Sequence, residues 1–260
     1  MTIWDLEMTG PAIPARATGL WHGDWTGDSG DDMVNVMNAT SPRMAMLACA
    51  TLLLTGATDE TRFAMPPTPP KLHKPTQHVL LVDDFADGDM KGWTPDQSGV
   101  WSVWHGLLRA DLPDQKQLRS IIVTGDTTWA DIAVDLDVCM MRGVDKGVVV
   151  RVNGESGTGV DLRGGSYQDV VMYQGSWPMG RTGATNANGT WNHLRVEAKG
   201  NRYRVWVNGE QKLDKTDGRA ESRGDKHSAK NFGRIALPAY TGGVGQCTVY
   251  YDNVVVTALK

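Results

Sequence analysis

The stretch that decides the fold is residues 191–214, Trp-Asn-His-Leu-Arg-Val-Glu-Ala-Lys-Gly-Asn-Arg-Tyr-Arg-Val-Trp-Val-Asn-Gly-Glu-Gln-Lys-Leu-Asp. Apolar and polar residues alternate from His193 to Lys199, which is the pattern of a strand with one buried face. A second strand-like run, Arg202 to Val207, is followed by Asn208-Gly209 and then by a third run. Asn-Gly between two such runs predicts a β-hairpin, because both residues accept the positive φ angles of a type I′ turn.

The same two-residue period continues on both sides of this stretch. Residues 131–138 alternate aspartates with branched aliphatic residues, and further strand-like runs occupy 147–152, 233–237 and 248–259. No convincing amphipathic helix follows residue 78. About a dozen short strands separated by Gly, Asn and Asp turns predict an all-β fold, an antiparallel β-sandwich or jelly roll.

The composition of the N-terminal third differs from that of this β-rich body, residues 78–260. Residues 1–36 have no clear period and form an extension of uncertain nature, whereas residues 37–57 have the order of a secretory signal peptide. A positive charge precedes the apolar run Met44–Leu54, and small residues follow it; at 11 residues this run is too short to span a bilayer. Residues 58–77 are rich in proline and predict an extended linker.

An internal signal peptide implies that translation starts later than the first methionine. A start at Met33 or Met37 would make the extension an artefact of gene calling and would place the mature protein outside the cell, in the periplasm or in the cell envelope. The alternative interpretation is that the apolar run is a buried helix of a small N-terminal unit.

Charge and cysteine content exclude several classes of protein. The formal net charge of −4 provides no basic surface for nucleic acid. Three cysteines are too few for a disulfide-rich miniprotein or a four-thiolate zinc site.

The strand-like runs also contain motifs that resemble a known family. They are Val82-Asp-Asp-Phe85, Gly92-Trp93, Trp101-Ser-Val-Trp-His-Gly-Leu-Leu108, Gly147-Val-Val-Val-Arg151, Trp191-Asn192, Trp206-Val-Asn-Gly209, Gly233-Arg-Ile-Ala-Leu237 and Tyr251-Asp-Asn-Val-Val255. Their order resembles that of concanavalin A-like, laminin G-like jelly rolls, and most of all that of the 3-keto-disaccharide hydrolase domain, a family-sixteen-like glycoside hydrolase domain. The resemblance covers roughly residues 80–260.

This resemblance implies an exported domain that binds a glycan or oligosaccharide. The sequence lacks the Glu-x-Asp-x-x-Glu motif of laminarinase-type enzymes, and Gly159-Val-Asp-Leu-Arg163 stands where hydrolase-like relatives usually carry Glu or Gln. We therefore expect glycan binding without a recognisable catalytic carboxylate pair. The alternatives are an active glycoside hydrolase and a structural or adhesive surface domain with no sugar site.

Several residues are candidates for the sugar site because aromatic rings stack on sugars and planar polar groups bind hydroxyls. The predicted substrate-binding residues are Arg151, Tyr173, Gln174, Trp177 and His193, and Tyr167 and Tyr240 are further aromatic candidates. Trp177 is the preferred contact because loop residues surround it. In the enzyme alternative, Asp161 or Asp169 would act in catalysis and would converge with Arg151 in a concave pocket.

Two further features concern stability. Aspartates near the start and end of the body, above all Asp84 and Asp252, could bind a structural calcium ion, although turn-capping is the simpler interpretation. Cys139 and Cys247 could form a disulfide if the protein is exported, but their strand positions assign them to different faces. No other cofactor is expected.

Overall fold

The alternating runs form two antiparallel sheets in the computed structural model, which describes residues 62–72, 75, 78–154, 156–174, 177–218 and 231–260. The side chain of Trp177 is outside this description, as are the predicted extension and signal peptide. The described part of the chain forms β1 (Val79–Asp83), β2 (Thr94–Pro95), β3 (Trp101–Trp104), β4 (Leu107–Leu112), β5 (Arg119–Thr124), β6 (Ile132–Arg142), β7 (Asp145–Asn153), β8 (Ser156–Arg163), β9 (Asp169–Gln174), β10 (Trp177–Gly183), β11 (Trp191–Lys199), β12 (Arg202–Val207), β13 (Glu210–Thr216), β14 (Arg234–Tyr240) and β15 (Cys247–Ala258).

The first sheet, called sheet A, has the strand order β13-β12-β11-β6-β15-β4-β3, and β1 also pairs with β15. The second, sheet B, has the order β10-β9-β8-β7-β14-β5-β2. The predicted hairpin joins β12 to β13, with φ angles of 52° at Asn208 and 82° at Gly209. The prediction of an antiparallel all-β sandwich is confirmed.

The core lies between the two sheets because every second residue of each central strand points inward. In β6 these residues are Ile132, Val134, Leu136, Val138 and Met140, all of which are almost completely buried. They pack against inward residues of sheet B such as those of β7, β8 and β14. The remaining residues of each strand point to the two outer faces of the sandwich, and these are the surfaces on which a ligand could bind.

A proline-rich strap, residues 62–72, lies on the outer face of sheet A. The Trp191 indole donates a hydrogen bond of 2.6 Å to the Pro67 carbonyl, and the Asn253 amide donates one of 2.8 Å to the Pro70 carbonyl. Prolines have no backbone N–H to donate, so strand pairing is replaced here by side-chain donors from the sheet. The folded body therefore includes part of the segment that composition marks as a linker. Within the described residues, no helix is long and apolar enough to cross a membrane.

The proposed disulfide between Cys139 and Cys247 does not form. Both cysteines are buried and free. Cys247 points into the core, whereas Cys139 belongs to the set of β6 residues that points to the outer face. Side chains on opposite faces of one sheet cannot meet the geometry of a disulfide.

We therefore expect reducing agents to leave the stability of the domain unchanged. The measurement is the midpoint of thermal unfolding with and without dithiothreitol. A downward shift of several degrees on reduction would contradict the arrangement of the two thiols.

Candidate functional site

The outer face of sheet B is the first surface to consider, because aromatic, acidic and basic side chains meet there on neighbouring strands. The inward residues of its strands belong to the core, so their neighbours in sequence point outward. The outward side chains are Arg119, Ile121, Val123, Asp145, Val149, Asp161, Arg163, Asp169, Val171, Tyr173, Arg181, Arg234, Ala236 and Tyr240.

Part of this face is an apolar floor. Val149, Val152 and Ala236 form a small buried cluster that is separate from the main core, and the partly buried side chains of Ile121, Val123 and Tyr173 pack over it. Next to this cluster, Gly147 presents no side chain, and a Cβ atom there would lie only 1.9 Å from the Val160 carbonyl oxygen. The close approach of β8 thus requires glycine at this buried position of β7.

Beside the floor, Asp161 and Asp145 form a carboxyl pair on adjacent strands. The Tyr173 hydroxyl donates a hydrogen bond of 2.8 Å to Asp161 Oδ2. Burial raises the pKa of Asp161 to about 7, and the nearby Asp145 raises it as well. Burial also raises the pKa of Asp145, although the Arg163 guanidinium opposes that increase. The pKa of both carboxyl groups is therefore raised toward neutral pH, mainly because burial disfavours their charged forms.

Asp169 has a different environment from this pair, because two arginines bind it. Arg163 binds both carboxylate oxygens, at 2.8 and 2.7 Å, and Arg181 Nε donates to Oδ2. Arg163 also stacks on Tyr167, with its Cζ atom 4.3 Å from the ring centroid. Asp169 therefore holds two guanidinium groups on this face.

The other side of the face carries one more basic and aromatic pair. Arg119 lies over the Tyr240 ring, 4.9 Å from its centroid. The Tyr240 hydroxyl donates to Gln117 Oε1. Planar polar and aromatic groups thus border the carboxyl pair on both sides.

Arg151 and Gln174, both predicted to bind sugar, lie in the interior and not on this face. Arg151 has a φ of 59° at a bulge of β7, which turns its side chain inward, and it is fully buried. Gln174 is also buried and donates a hydrogen bond of 3.0 Å to Thr158 Oγ1. The expected convergence of Arg151 with Asp161 or Asp169 is therefore not observed.

His193, another predicted sugar ligand, lies on the opposite side of the sandwich. Its Nδ1 is 3.0 Å from Asp137 Oδ1 and its Nε2 is 3.3 Å from Asp135 Oδ1, so both ring nitrogens face carboxylates. Hydrogen bonds to the two aspartates raise the pKa of His193 to about 9. The imidazole is consequently a cation at neutral pH, with both of its N–H groups donated to these aspartates.

This histidine lines a groove of about 520 Å³ between sheet A and the strap. Strap residues Pro70 and Leu72, together with Pro75, form part of the wall. The carboxylates that the sequence places on one face of β6 are paired here with cations and amides, because Asn253 also donates to Asp137 at 2.7 Å. The polar groups of the groove thus bind mainly one another.

Trp177, the preferred sugar contact, begins β10, and its backbone pairs with that of Gln174. Its side chain lies outside the described structure. The structure therefore brings together Tyr173, Asp161 and Asp169 on sheet B, and it separates them from Arg151, Gln174 and His193.

The proposed calcium ligands Asp84 and Asp252 interact electrostatically. Among the described residues, no group of three or more histidine, cysteine or acidic side chains is arranged to hold a metal ion. Burial raises the pKa of Asp252 to about 7, and the negative charges of Asp137, Asp84 and Asp83 add to the effect.

We expect Asp252→Asn to stabilise the folded domain at alkaline pH. Because the pKa of Asp252 is raised in the folded state, the protonated carboxyl contributes to the stability of the fold. This contribution is complete below pH 4 and is lost as the pH rises through 7. The free energy of unfolding of the variant should exceed that of wild type by about 1–2 kcal/mol at pH 8 and by little at pH 4. Urea unfolding of both proteins at the two pH values measures this difference, with the exposed Asp87→Asn as control. A variant less stable than wild type at pH 8 would contradict the argument.

Sequence reasoning missed three residues of the sheet B face, namely Asp145, Arg119 and Arg181. Asp145 and Asp161 are the same kind of residue at the outward positions of adjacent strands, so strand pairing would have revealed their proximity. The register of that pairing, in which Gly147 opposes Asp161, is not visible in a single sequence.

Two antiparallel sheets packed face to face define a β-sandwich domain of the jelly-roll type. The family comparison agrees with this class. Residues 80–257 match the model of the 3-keto-alpha-glucoside-1,2-lyase-like domain, and the chain belongs to that family. The resemblance to 3-keto-disaccharide hydrolase domains is thereby confirmed.

Comparison with solved structures shows the fold. A carbohydrate-binding module, CBM66 from Bacillus subtilis, has a TM-score of 0.52 at 16% identity, over 65% of this chain and 98% of that chain. A structure from work on endo-acting O-glycanases that initiate mucin breakdown in the human gut microbiota has a TM-score of 0.53 at 11% identity, over 70% of this chain and 100% of that chain. A Bacillus subtilis protein of unknown function with a galectin-like fold has a TM-score of 0.52 at 10% identity, over 69% of this chain and 95% of that chain. No curated protein matches the sequence significantly.

Proposed function

We propose that the chain binds a saccharide on the outer face of sheet B. The observation that carries the proposal is the hydrogen-bonded pair of Asp161 and Tyr173 beside an apolar floor. A sugar ring has an apolar C–H face and a rim of hydroxyls, so it matches a surface that offers both kinds of contact side by side. The family and the carbohydrate-binding module with the same fold support this choice of ligand.

The roles of the groups follow from their chemistry. The carboxyls of Asp145 and Asp161 accept hydrogen bonds from sugar hydroxyls, and either of them can donate one when it is protonated. Tyr173 holds Asp161 in place and adds its ring to the floor. Arg119 and Arg163 supply planar donors on either side.

A glycan array with the full chain tests the proposal. A ligand found on the array should bind at least tenfold more weakly to Asp161→Ala and to Tyr173→Ala, because each change removes a direct contact. His193→Ala, on the opposite face, is the matched control and should bind as wild type does. Equal binding by the Asp161 variant, or loss of binding only in the His193 variant, would overturn the proposal.

A second candidate function is cleavage of the bound sugar, which the carboxyl pair favours. The family description names a 1,2-lyase of 3-keto-α-glucosides. In such an elimination, a base removes the proton from C2, next to the keto group. A C1–C2 double bond then forms as the C1–O bond breaks, and an acid protonates the leaving oxygen. One protonated and one ionised carboxyl, as in Asp145 and Asp161, provide an acid and a base.

Ultraviolet absorbance of the conjugated enone product tests cleavage of a 3-keto-α-glucoside. Activity in wild type that falls at least a hundredfold in Asp145→Asn and Asp161→Asn would support the lyase. Binding without product would favour a binding domain. If neither binding nor product is found for any saccharide, the remaining alternative is a structural or adhesive surface domain.

We further infer that the chain is exported. The support is the signal-like order of residues 37–57 and the glycan-directed family. Sequencing the N-terminus of protein recovered from the cell envelope or medium tests this inference, and a new N-terminus near residue 58 is expected. Protein found only inside the cell, with its first residues intact, would contradict it.

A further inference from the structure

The charges on the outer face of sheet B are not balanced. Among the residues that the structure describes, the outward side chains of this sheet include the aspartates Asp145, Asp161 and Asp169 but also the arginines Arg119, Arg163, Arg181 and Arg234. These strand positions therefore carry one more basic than acidic side chain, although the whole chain has a formal net charge of −4. The tendency of the carboxyl pair to retain a proton adds to this excess.

One of these arginines is free to bind a ligand. Arg181 uses Nε to bind Asp169, its side chain is 56% exposed, and its two terminal nitrogens have no partner among the described residues. Asp169 fixes the guanidinium at one edge, and the remaining N–H groups point away from that contact. A guanidinium presented in this way can bind a carboxylate, sulfate or phosphate through two parallel hydrogen bonds.

An exposed aromatic ring lies at the same end of the face. Tyr167 is 48% exposed, and the Arg163 guanidinium covers one side of its ring. Arg163 is held by two hydrogen bonds to Asp169, the same carboxylate that holds Arg181. The ring and the two guanidinium groups are therefore joined through one buried aspartate.

This end of the face is at a short distance from the carboxyl pair. Asp161, Val171 and Arg181 are directly opposite one another on β8, β9 and β10. Two strand spacings place the Cα atoms of Asp161 and Arg181 about 10 Å apart. One short saccharide can therefore contact both residues.

We propose that the saccharide bound on this face carries a negatively charged group, which Arg181 binds beside the Tyr167 ring. This inference rests on the proposed function, since it assigns the chemical class of the ligand at the same site. The charged group is a carboxylate, as in a uronic acid, or a sulfate ester.

Matched polymers test the inference with the full chain. The first pair is polygalacturonate and the same polymer after its carboxylates have been reduced to alcohols, and the second is a sulfated dextran and plain dextran. Affinity electrophoresis should show binding to the charged member of at least one pair that is about tenfold tighter than binding to its neutral partner. The carboxylate and sulfate pairs distinguish the two sources of charge.

The variants then identify the residue responsible. Arg181→Ala should reduce the preference for the charged polymer about tenfold. Arg202→Ala is the matched control, because Arg202 is also 56% exposed and paired with an aspartate but lies on sheet A. Equal binding of charged and neutral polymers, or an equal loss in the two variants, would overturn the inference.

The test separates this inference from the proposed function. If a neutral glycan binds and Asp161→Ala abolishes that binding, while no charged polymer binds more tightly, the proposed function stands and the charged group is rejected. If no saccharide binds at all, both are rejected.

Discussion

Arg151→Ala is expected to reduce the free energy of unfolding by about 3–5 kcal/mol. The guanidinium is fully buried and binds the Ala130 carbonyl through Nε and Nη2, both at 3.1 Å. It also donates to the Gly200 carbonyl at 2.6 Å and to the Tyr203 hydroxyl at 3.0 Å. Truncation would empty the space of a large buried side chain and would leave the buried Tyr203 hydroxyl without this donor, and both changes cost free energy.

Chemical denaturation of wild type and variant measures this loss. Arg202→Ala is the control, because it removes an arginine of similar size from an exposed position and should change stability little. Arg151→Lys keeps the charge but not the fork of donors, so its stability should lie between the two. If Arg151→Ala is as stable as wild type but loses glycan binding, the residue belongs to a ligand site and not to the interior.

The second prediction concerns two aspartates on neighbouring strands of sheet B, whose substitution should change the free energy of unfolding in opposite directions. Asp169→Ala should lower the free energy of unfolding by about 2–4 kcal/mol, because the buried carboxylate binds Arg163 and Arg181. Asp161→Asn should stabilise the domain at pH 8 by about 1–2 kcal/mol, because it replaces a carboxyl whose ionisation is unfavourable there.

The sign of the Asp161 effect follows from its raised pKa. The stability contributed by the protonated carboxyl is complete below pH 4 and is lost as the pH rises through about 7. The gain of Asp161→Asn over wild type should therefore be small at pH 4 and largest above pH 7. Urea unfolding between pH 4 and pH 9 provides the comparison. If both variants changed the free energy of unfolding in the same direction and by the same amount at pH 8, the environments of the two carboxyls would not differ as described.

The fold could be predicted from the sequence because it depends on local patterns. The alternation around β11 and the Asn208-Gly209 turn are local signals, and each appears in the structure where the pattern places it. Residues 62–72 were harder to predict, since prolines indicate extended chain but not the surface on which that chain lies. The Trp191 and Asn253 side chains that bind the strap are more than 120 residues away in sequence.

The candidate site was only partly predictable, because it depends on pairing between strands. Tyr173 and Asp161 could be named from residue type, but their hydrogen bond depends on the register of β8 and β9. Strict alternation would place Arg151 on the outer face of β7, whereas the positive φ at the bulge turns it inward. The positive φ of Arg151 therefore makes this arginine a structural residue of the interior, where alternation alone would place it on the outer face.

The position of the strap has a consequence for how the domain is presented. Arg62 is bound to Asp111 and Arg109 on the sheet A side, so the polypeptide upstream joins the sandwich there. The carboxyl pair and the exposed Arg181 are on the other broad side. A surface or partner bound close to Arg62 would therefore face sheet A, and the proposed saccharide-binding face on sheet B would point the opposite way.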